Sequence, residues 1–101
     1  MKINKVYKQD ACDFLKREVE DESVDLAVID PPYNLKIADW DSFRSQEEFL
    51  KFTFSWISLL IPKLKDTASV YIFNTPFNAA HILCFLTENG MQFQNLSLIH
   101  I

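Results

Sequence analysis

The stretch of the chain that decides its fold reads Val24-Asp25-Leu26-Ala27-Val28-Ile29-Asp30-Pro31-Pro32-Tyr33. Its first six residues are almost continuously apolar, which is typical of a strand buried on both faces of a parallel sheet. Two consecutive prolines then end the strand, because proline has no N–H group to donate to a neighbouring strand. The sequence therefore predicts a buried strand over Val24–Ile29 that places Asp30 at its carboxyl end.

Strand-like and helix-like segments alternate along the rest of the chain. Two further strands are predicted at residues 2–8 and 68–74, which carry short runs of β-branched and aromatic side chains. The alternation predicts βαβ units, and hence an α/β fold with a mainly parallel sheet and flanking helices. Because three strands leave two open edges, we expect this sheet to be a truncated part of a larger one.

Three helices are predicted to begin at side chains that commonly cap helices, namely Asp10, Ser45 and Asn78. The last helix is predicted to end at Gly90, because glycine readily adopts the left-handed conformation found there. In the middle helix, Phe49, Phe52 and Trp56 recur at helical spacing and are predicted to lie in the core. Phe54 falls outside this spacing, so we expect it to face another element.

The composition excludes several kinds of function. Gly90 is the single glycine among 101 residues, although average usage near 7% predicts about seven. Glycine-rich phosphate and dinucleotide loops need several residues with positive φ, so these residues contain no such loop. A net charge of −4 disfavours unaided binding to nucleic acid, which needs a positive surface. The sequence shows no signal peptide or membrane-spanning run, so we expect a cytoplasmic protein.

The turn that follows the first buried strand presents an unusual set of acceptors. In doubly wound sheets, ligands bind beyond the carboxyl ends of the strands, where this turn lies. Because Pro31 and Pro32 lack N–H groups, the turn offers mainly the Asp30 carboxylate and the carbonyls of Asp30 and Pro31. With the aromatic face of Tyr33 beside them, these acceptors suit a planar group that carries an –NH₂ donor, such as a nucleobase amine. The alternative is an ordinary strand-ending turn with an incidental tyrosine.

These residues resemble those of a known family. Residues 24–34 resemble the catalytic strand and turn of the DNA amino-methyltransferases that use S-adenosylmethionine, whose motif is [Asp/Asn/Ser]-Pro-Pro-[Tyr/Phe/Trp]. Asp39-Trp40-Asp41 resembles the segment that often follows this motif. Gln9-Asp10-Ala11 is similar to the family's Gly-Asp-Ala stretch near the cofactor, with glutamine where glycine is usual. The resemblance covers the chain to about Asn95 and implies a partial Rossmann-like methyltransferase fold.

The resemblance implies methyl transfer from S-adenosylmethionine to the exocyclic amine of adenine in double-stranded DNA, as in a modification or restriction–modification system. The implied catalytic residues are Asp30, Pro31, Pro32 and Tyr33. Asp30 and the Pro31 carbonyl would accept the hydrogens of the amine, and Tyr33 would stack on the flipped base. The implied cofactor-binding residues are Asp10, Ala11 and Asp30. No metal is implied, and a homodimer of the full-length protein is left open.

Several alternatives stay open at this point. Aspartate rather than serine at position 30 favours adenine, but a cytosine amino-methyltransferase is also compatible with the motif. A small non-catalytic α/β module that binds a nucleotide or a protein is a second alternative. Asp39 and Asp41 are either metal ligands or, as two acids without a third, part of a solvated loop. Asn74 ends a predicted strand at the same sheet edge as Asp30 and is a further candidate for the pocket.

In families whose catalytic motif comes early, the glycine-rich cofactor loop and the target-recognition segment come later. We therefore expect residues 1–95 to be the N-terminal, catalytic-motif part of a methyltransferase, inactive alone. The chain ends Leu96-Ser97-Leu98-Ile99-His100-Ile101. This hexapeptide is one translation of CTGTCTCTTATACACATC, the transposon mosaic end used in sequencing libraries, so residues 96–101 are predicted to be an adapter-encoded tail. The alternative is a genuine final strand.

Reamplifying the locus and sequencing beyond the codon for Asn95 tests this expectation. The next 150 or so codons, about one domain's length, should encode a glycine-rich cofactor loop and a basic recognition region. A natural stop codon directly after Ile101 would contradict it.

Overall fold

A computed structural model describes residues 2–94, and the predicted tail at residues 96–101 lies outside them. The elements, in chain order, are α1 (Ala11–Arg17), β1 (Val24–Ile29), a 3₁₀ turn (Asp39–Asp41), α2 (Gln46–Leu60), a second 3₁₀ turn (Ile61–Lys63), β2 (Leu64–Ile72) and α3 (Pro76–Glu88). The strands pair in parallel, from Val24 beside Leu64 to Ile29 beside Ile72. The predicted α/β class, with a parallel sheet and flanking helices, is confirmed. No helix within residues 2–94 is long and apolar enough to cross a membrane.

The two faces of the sheet differ. Ala27 and Ile29 of β1 pack against a core to which all three helices contribute side chains. Leu26 and Val28 point to the other face and are 57% and 62% exposed. Tyr71 pairs with Val28 across the sheet and is 60% exposed on that same face. The prediction that β1 is buried on both faces is therefore wrong for the described residues, because the helices cover only one of them.

The sheet of the described residues has two strands, so the prediction of a strand at residues 2–8 is also wrong. Ile3 and Val6 are 88% and 92% exposed, and neither has a strand beside it. Tyr7 packs instead on α1, with its ring centroid 5.0 Å from that of Phe14. A strand needs a neighbour for its backbone N–H and C=O groups. Without one, β-favouring side chains do not make residues 2–8 a strand.

Capping side chains begin the first two helices where they were predicted to. Asp10 accepts a hydrogen bond of 3.1 Å from the N–H of Asp13, and Ser45 accepts one of 3.1 Å from the N–H of Glu48. Each bond satisfies a donor that the first helical turn leaves without a partner. In α1 and α2, the local sequence thus sets where the helix starts.

The apolar residues of α2 carry most of the core. Phe49 and Trp56 are buried as predicted, whereas Phe52 is 37% exposed at the edge of the core. Phe54 faces α3, as expected, and its ring stacks on that of Phe85 at a centroid distance of 4.3 Å. These contacts fix α2 and α3 against each other and against the covered face of the sheet.

Helix α3 begins earlier than predicted. Thr75 is the capping residue, and its hydroxyl accepts a hydrogen bond of 3.3 Å from the N–H of Asn78. Pro76 suits the first helical position, because its φ is already helical and its missing N–H leaves no donor unpaired. Asn78 therefore lies inside the first turn, where it is 3% exposed.

Gly90 ends α3 in the predicted left-handed conformation, with φ at +89°. The N–H of Gly90 donates to the carbonyl of Thr87 at 3.2 Å, and the N–H of Met91 donates to that of Leu86 at 3.0 Å. This pair of bonds is the Schellman arrangement, which satisfies carbonyls at the helix end.

We expect Gly90→Ala to lower the free energy of unfolding by about 1 kcal/mol. An added Cβ would meet no atom within 4 Å, so the cost is conformational and not steric. Asparagine tolerates this conformation better, so Gly90→Asn is the matched control and should lose less. Urea unfolding of the three chains measures the difference, and equal losses for alanine and asparagine would argue against this account.

Candidate functional site

An open cleft of about 160 Å³ lies at the carboxyl end of β1, where the sequence predicts the site. Its lining residues are Asp30, Pro31, Tyr33, Leu35, Ile37, Trp40 and Asp41. Three apolar side chains on the loop after Tyr33 are strongly exposed, with Leu35 at 56%, Ile37 at 73% and Trp40 at 65%. The cleft thus has a polar floor around Asp30 and an apolar rim.

Asp30 and Tyr33 contact each other directly. The hydroxyl of Tyr33 donates a hydrogen bond to Oδ1 of Asp30. This bond raises the pKa of Tyr33 to about 12, and burial and the negative charge of Asp30 act in the same direction. Within residues 2–94, Oδ2 of Asp30 accepts no hydrogen bond. The sequence anticipates that both residues belong to one site, but not that the tyrosine covers one carboxylate oxygen.

Pro31 and Pro32 both have trans peptide bonds and are half-buried. Pro31 lines the cleft, and its carbonyl accepts no hydrogen bond from the other residues of the described part of the chain. Pro32 does not line the cleft. Because proline fixes its own φ and restricts the residue before it, the two prolines stiffen the turn that presents the acceptors.

Asp41 is a buried carboxylate, 1% exposed, that binds the main chain of the loop. Its Oδ1 accepts hydrogen bonds from the N–H groups of Tyr33 at 2.6 Å and Asn34 at 2.8 Å, and its Oδ2 accepts one from Leu35 at 2.8 Å. Burial by itself raises the pKa of Asp41, but the N–H groups of Tyr33, Asn34, Leu35 and Ile37 outweigh it and lower that pKa below its ordinary value. Asp41 is therefore ionised at neutral pH.

This environment corrects the interpretation of the Asp39 and Asp41 pair. Asp41 does not lie in a solvated loop, and both of its oxygens are engaged by backbone donors rather than directed at a metal site. Residues 2–94 contain no group of three histidine, cysteine, aspartate or glutamate side chains that could hold a metal ion. Asp41 organises the loop instead.

Asn78 is the site residue that sequence reasoning missed. Its Nδ2 donates to the carbonyl of Tyr33 at 2.8 Å and to Oδ1 of Asn74 at 2.8 Å, and its Oδ1 accepts from Nε2 of Gln46 at 3.1 Å. Asparagine before an apolar helix favours a cap, which is why the sequence suggested that role. Asn74, a candidate for the pocket, does not line the cleft and instead supports Asn78.

The predicted cofactor-binding residues Asp10 and Ala11 do not line the cleft. Both are exposed at the start of α1. Asp10 uses Oδ1 for the helix cap, and its Oδ2 accepts no hydrogen bond within residues 2–94. An exposed carboxylate with a free oxygen suits a ligand that carries amine or hydroxyl donors.

Comparisons with known proteins identify a family and several relatives of this chain. A family model described as DNA methylase matches residues 24–101. Type II methyltransferase M1.MboII from Moraxella bovis is 56% identical over 95 residues, which cover 94% of this chain and 36% of the relative. Type II methyltransferase M.BamHI from Bacillus amyloliquefaciens is 34% identical over 80 residues, covering 73% of this chain and 18% of the relative. The chain thus spans about a third or less of the length of these relatives.

Tyr33→Phe should remove a component near pH 12 from the titration of tyrosine absorbance. Because the folded pKa of Tyr33 lies above its ordinary value of 10, its hydrogen bond stabilises the fold fully below pH 10 and loses that effect as the pH rises toward 12. Asp30→Asn is the control, and it should bring the same component down toward pH 10. If the component that Tyr33→Phe removes instead titrates with the ordinary tyrosine pKa of 10, the hydrogen bond to Asp30 does not form.

Proposed function

The chain belongs to the DNA methylase family, and from that premise we propose that it carries the catalytic turn of a methyltransferase acting on the exocyclic amine of adenine in DNA. The observation that carries the proposal is the pair of acceptors at the cleft that have no hydrogen-bond partner among residues 2–94, Oδ2 of Asp30 and the carbonyl of Pro31. Two acceptors on a stiff turn match the two hydrogens of an –NH₂ group.

The proposed mechanism starts from the weakness of the nucleophile. The lone pair of an exocyclic amine is delocalised into the base and is poorly available for attack. When Asp30 and the Pro31 carbonyl accept the two N–H hydrogens, they favour the geometry in which the lone pair is localised on nitrogen. The methylated amine must then lose one proton, and the Asp30 carboxylate is an acceptor for it.

Tyr33 and the apolar rim fit a base that has left the DNA stack. Extrusion of a base costs a few kcal/mol, which stacking and apolar contact in the pocket help to offset. Tyr33 lines the cleft beside Asp30, and Leu35, Ile37 and Trp40 expose apolar surface around it. We assign the stacking role to Tyr33, whose hydroxyl leaves Asp30 when the base enters.

S-adenosylmethionine, when bound, supplies a methyl group on a positively charged sulfur. We propose that Asp10, Ala11 and Asp30 contribute to its site. The exposed carboxylate of Asp10 keeps Oδ2 without a hydrogen-bond partner among the described residues, and Oδ1 of Asp30 becomes available when the Tyr33 hydroxyl leaves it. Both oxygens suit the amine and hydroxyl donors of this cofactor. Asp30 thus serves both ligands, as its place at the end of β1 allows.

The contacts to double-stranded DNA are proposed to come largely from elsewhere in the complete gene product. The chain has a net charge of −4, whereas DNA binding relies on positive side chains that displace counterions. It also corresponds to only 36% of the length of M1.MboII. We also propose that the complete gene product assembles as a homodimer and acts in the cytoplasm, where its DNA substrate lies.

Asp30→Ala in the complete gene product should lower the rate of methyl transfer to DNA at least about 100-fold, the lower range for loss of a proton-accepting group. Transfer from radiolabelled S-adenosylmethionine measures the rate, and mass analysis of the product nucleosides separates adenine from cytosine methylation. Asp39→Ala is the control, because this exposed acid lies outside the cleft lining and should leave the rate unchanged.

Full activity of the Asp30→Ala enzyme would refute the mechanism. Methylcytosine as the product would overturn the assignment of the base while leaving the acceptor mechanism in place.

A further inference from the structure

The loop that follows Tyr33 contains two residues in a backbone conformation that is uncommon for residues with a Cβ, of which asparagine tolerates it better than lysine. Asn34 and Lys36 both have φ at +62°, in the left-handed region that residues with a Cβ rarely enter. Such conformations persist where surrounding contacts hold them in place, and they are often found at functional sites. A residue that holds this loop would therefore be expected nearby.

The carboxylate of Asp41 is in the position to hold it. Left-handed residues turn successive N–H groups toward a common point, which creates a site for an anion. Here the anion is a side chain of the same loop, which accepts bonds from the three consecutive residues 33–35. Asp41 makes no ion pair within the described residues, so its buried charge is balanced by backbone donors alone.

Asn78 holds Tyr33 from the side opposite to Asp41. Asp41 accepts from the N–H of Tyr33, and Asn78 donates to the carbonyl of Tyr33. Asn78 is itself fixed by Asn74 after β2 and by Gln46 at the start of α2. We call Asp41 and Asn78 the Tyr33 clamp. The turn that presents the acceptors is thus anchored by β1 at one end and by the Tyr33 clamp at the other.

We propose that Asp41 is a positioning residue for methyl transfer, which through the Tyr33 clamp sets the acceptors of the turn in place before the amine arrives. This inference rests on the proposed function, because it assigns Asp41 a part in the same reaction. The proposal gives Asp30 and Asp41 different roles. Asp30 touches the substrate, whereas Asp41 acts only through the backbone of residues 33–35.

Asp41→Asn in the complete gene product tests the proposal. The amide keeps the shape of the side chain but replaces one acceptor oxygen with a donor that faces an N–H group. We expect kcat to fall at least about tenfold, since misplacement of a reacting group costs this much or more. The dissociation constant for S-adenosylmethionine, measured by calorimetry, should change by a smaller factor than kcat, because the proposed cofactor contacts of Asp10 and Ala11 lie at the start of α1 and not on the turn.

Hydrogen exchange followed by mass spectrometry gives a readout that does not depend on activity. The amides of residues 33–35 should exchange faster in Asp41→Asn than in the unaltered protein. Ile57→Val is the matched control for general destabilisation, because Ile57 is fully buried in α2 and lies outside the cleft. It should lower the unfolding temperature without changing kcat or the exchange of residues 33–35.

The outcomes separate this inference from the proposed function. Unchanged exchange in Asp41→Asn, or faster exchange with full kcat, would overturn the positioning role. An unaltered protein that transfers no methyl group to DNA would overturn the proposed function and, with it, this role in catalysis. If Asp41→Asn does not fold, Asn78→Ala, which removes the donor to the Tyr33 carbonyl, is judged by the same readouts.

Discussion

An ionised carboxylate that is removed from water is stable only where donors replace the water it has lost. Asp41 finds those donors in the main chain of the loop that leads to it, and the loop takes up two left-handed residues to bring them there. The charge and the loop conformation therefore depend on each other. Without the carboxylate, converging N–H groups would lack an acceptor, and without the loop the charge would lack donors. The position of Tyr33 follows from this pairing.

Elements at the carboxyl end of the sheet each contribute a side chain to the hydrogen bonds that hold Tyr33. Asn78 belongs to the first turn of α3, Asn74 follows β2, and Gln46 begins α2. Their side chains form one hydrogen-bonded chain that ends on the carbonyl of Tyr33. Packing of the helices on the covered face of the sheet thus helps to determine where the proposed catalytic turn lies. A change at Gln46 or Asn78 would alter the hydrogen bonds that reach Tyr33.

Features with partners close in sequence could be predicted, and those with distant partners could not. The caps at Asp10 and Ser45 and the left-handed Gly90 depend on residues within a few positions of each other, and the end of β1 is set by the prolines that follow it. Asn78 instead bonds a residue 45 positions earlier, so its sequence neighbours suggested only a cap. The failure at residues 2–8 has the same origin, because a strand is defined by a neighbour that the segment itself does not specify. Leu26 and Val28 are apolar, as in a strand buried on both faces, but the described residues cover only the opposite face of the sheet and leave these two side chains exposed.

The site combines a rigid part and a movable part. The backbone of Tyr33 is held from both sides, whereas the hydroxyl of its side chain makes, among the described residues, only the bond to Asp30. In the proposed function, an arriving amine donates to Oδ2 of Asp30, and the Tyr33 hydroxyl can leave Oδ1 at little net cost because it exchanges that hydrogen bond for one to water. The aromatic ring is then free to lie against the base, while the acceptors stay where the clamped backbone holds them. A rigid main chain and one movable side chain would thus let the proposed turn, Asp30 to Tyr33, cover one carboxylate oxygen before binding and orient the amine after it.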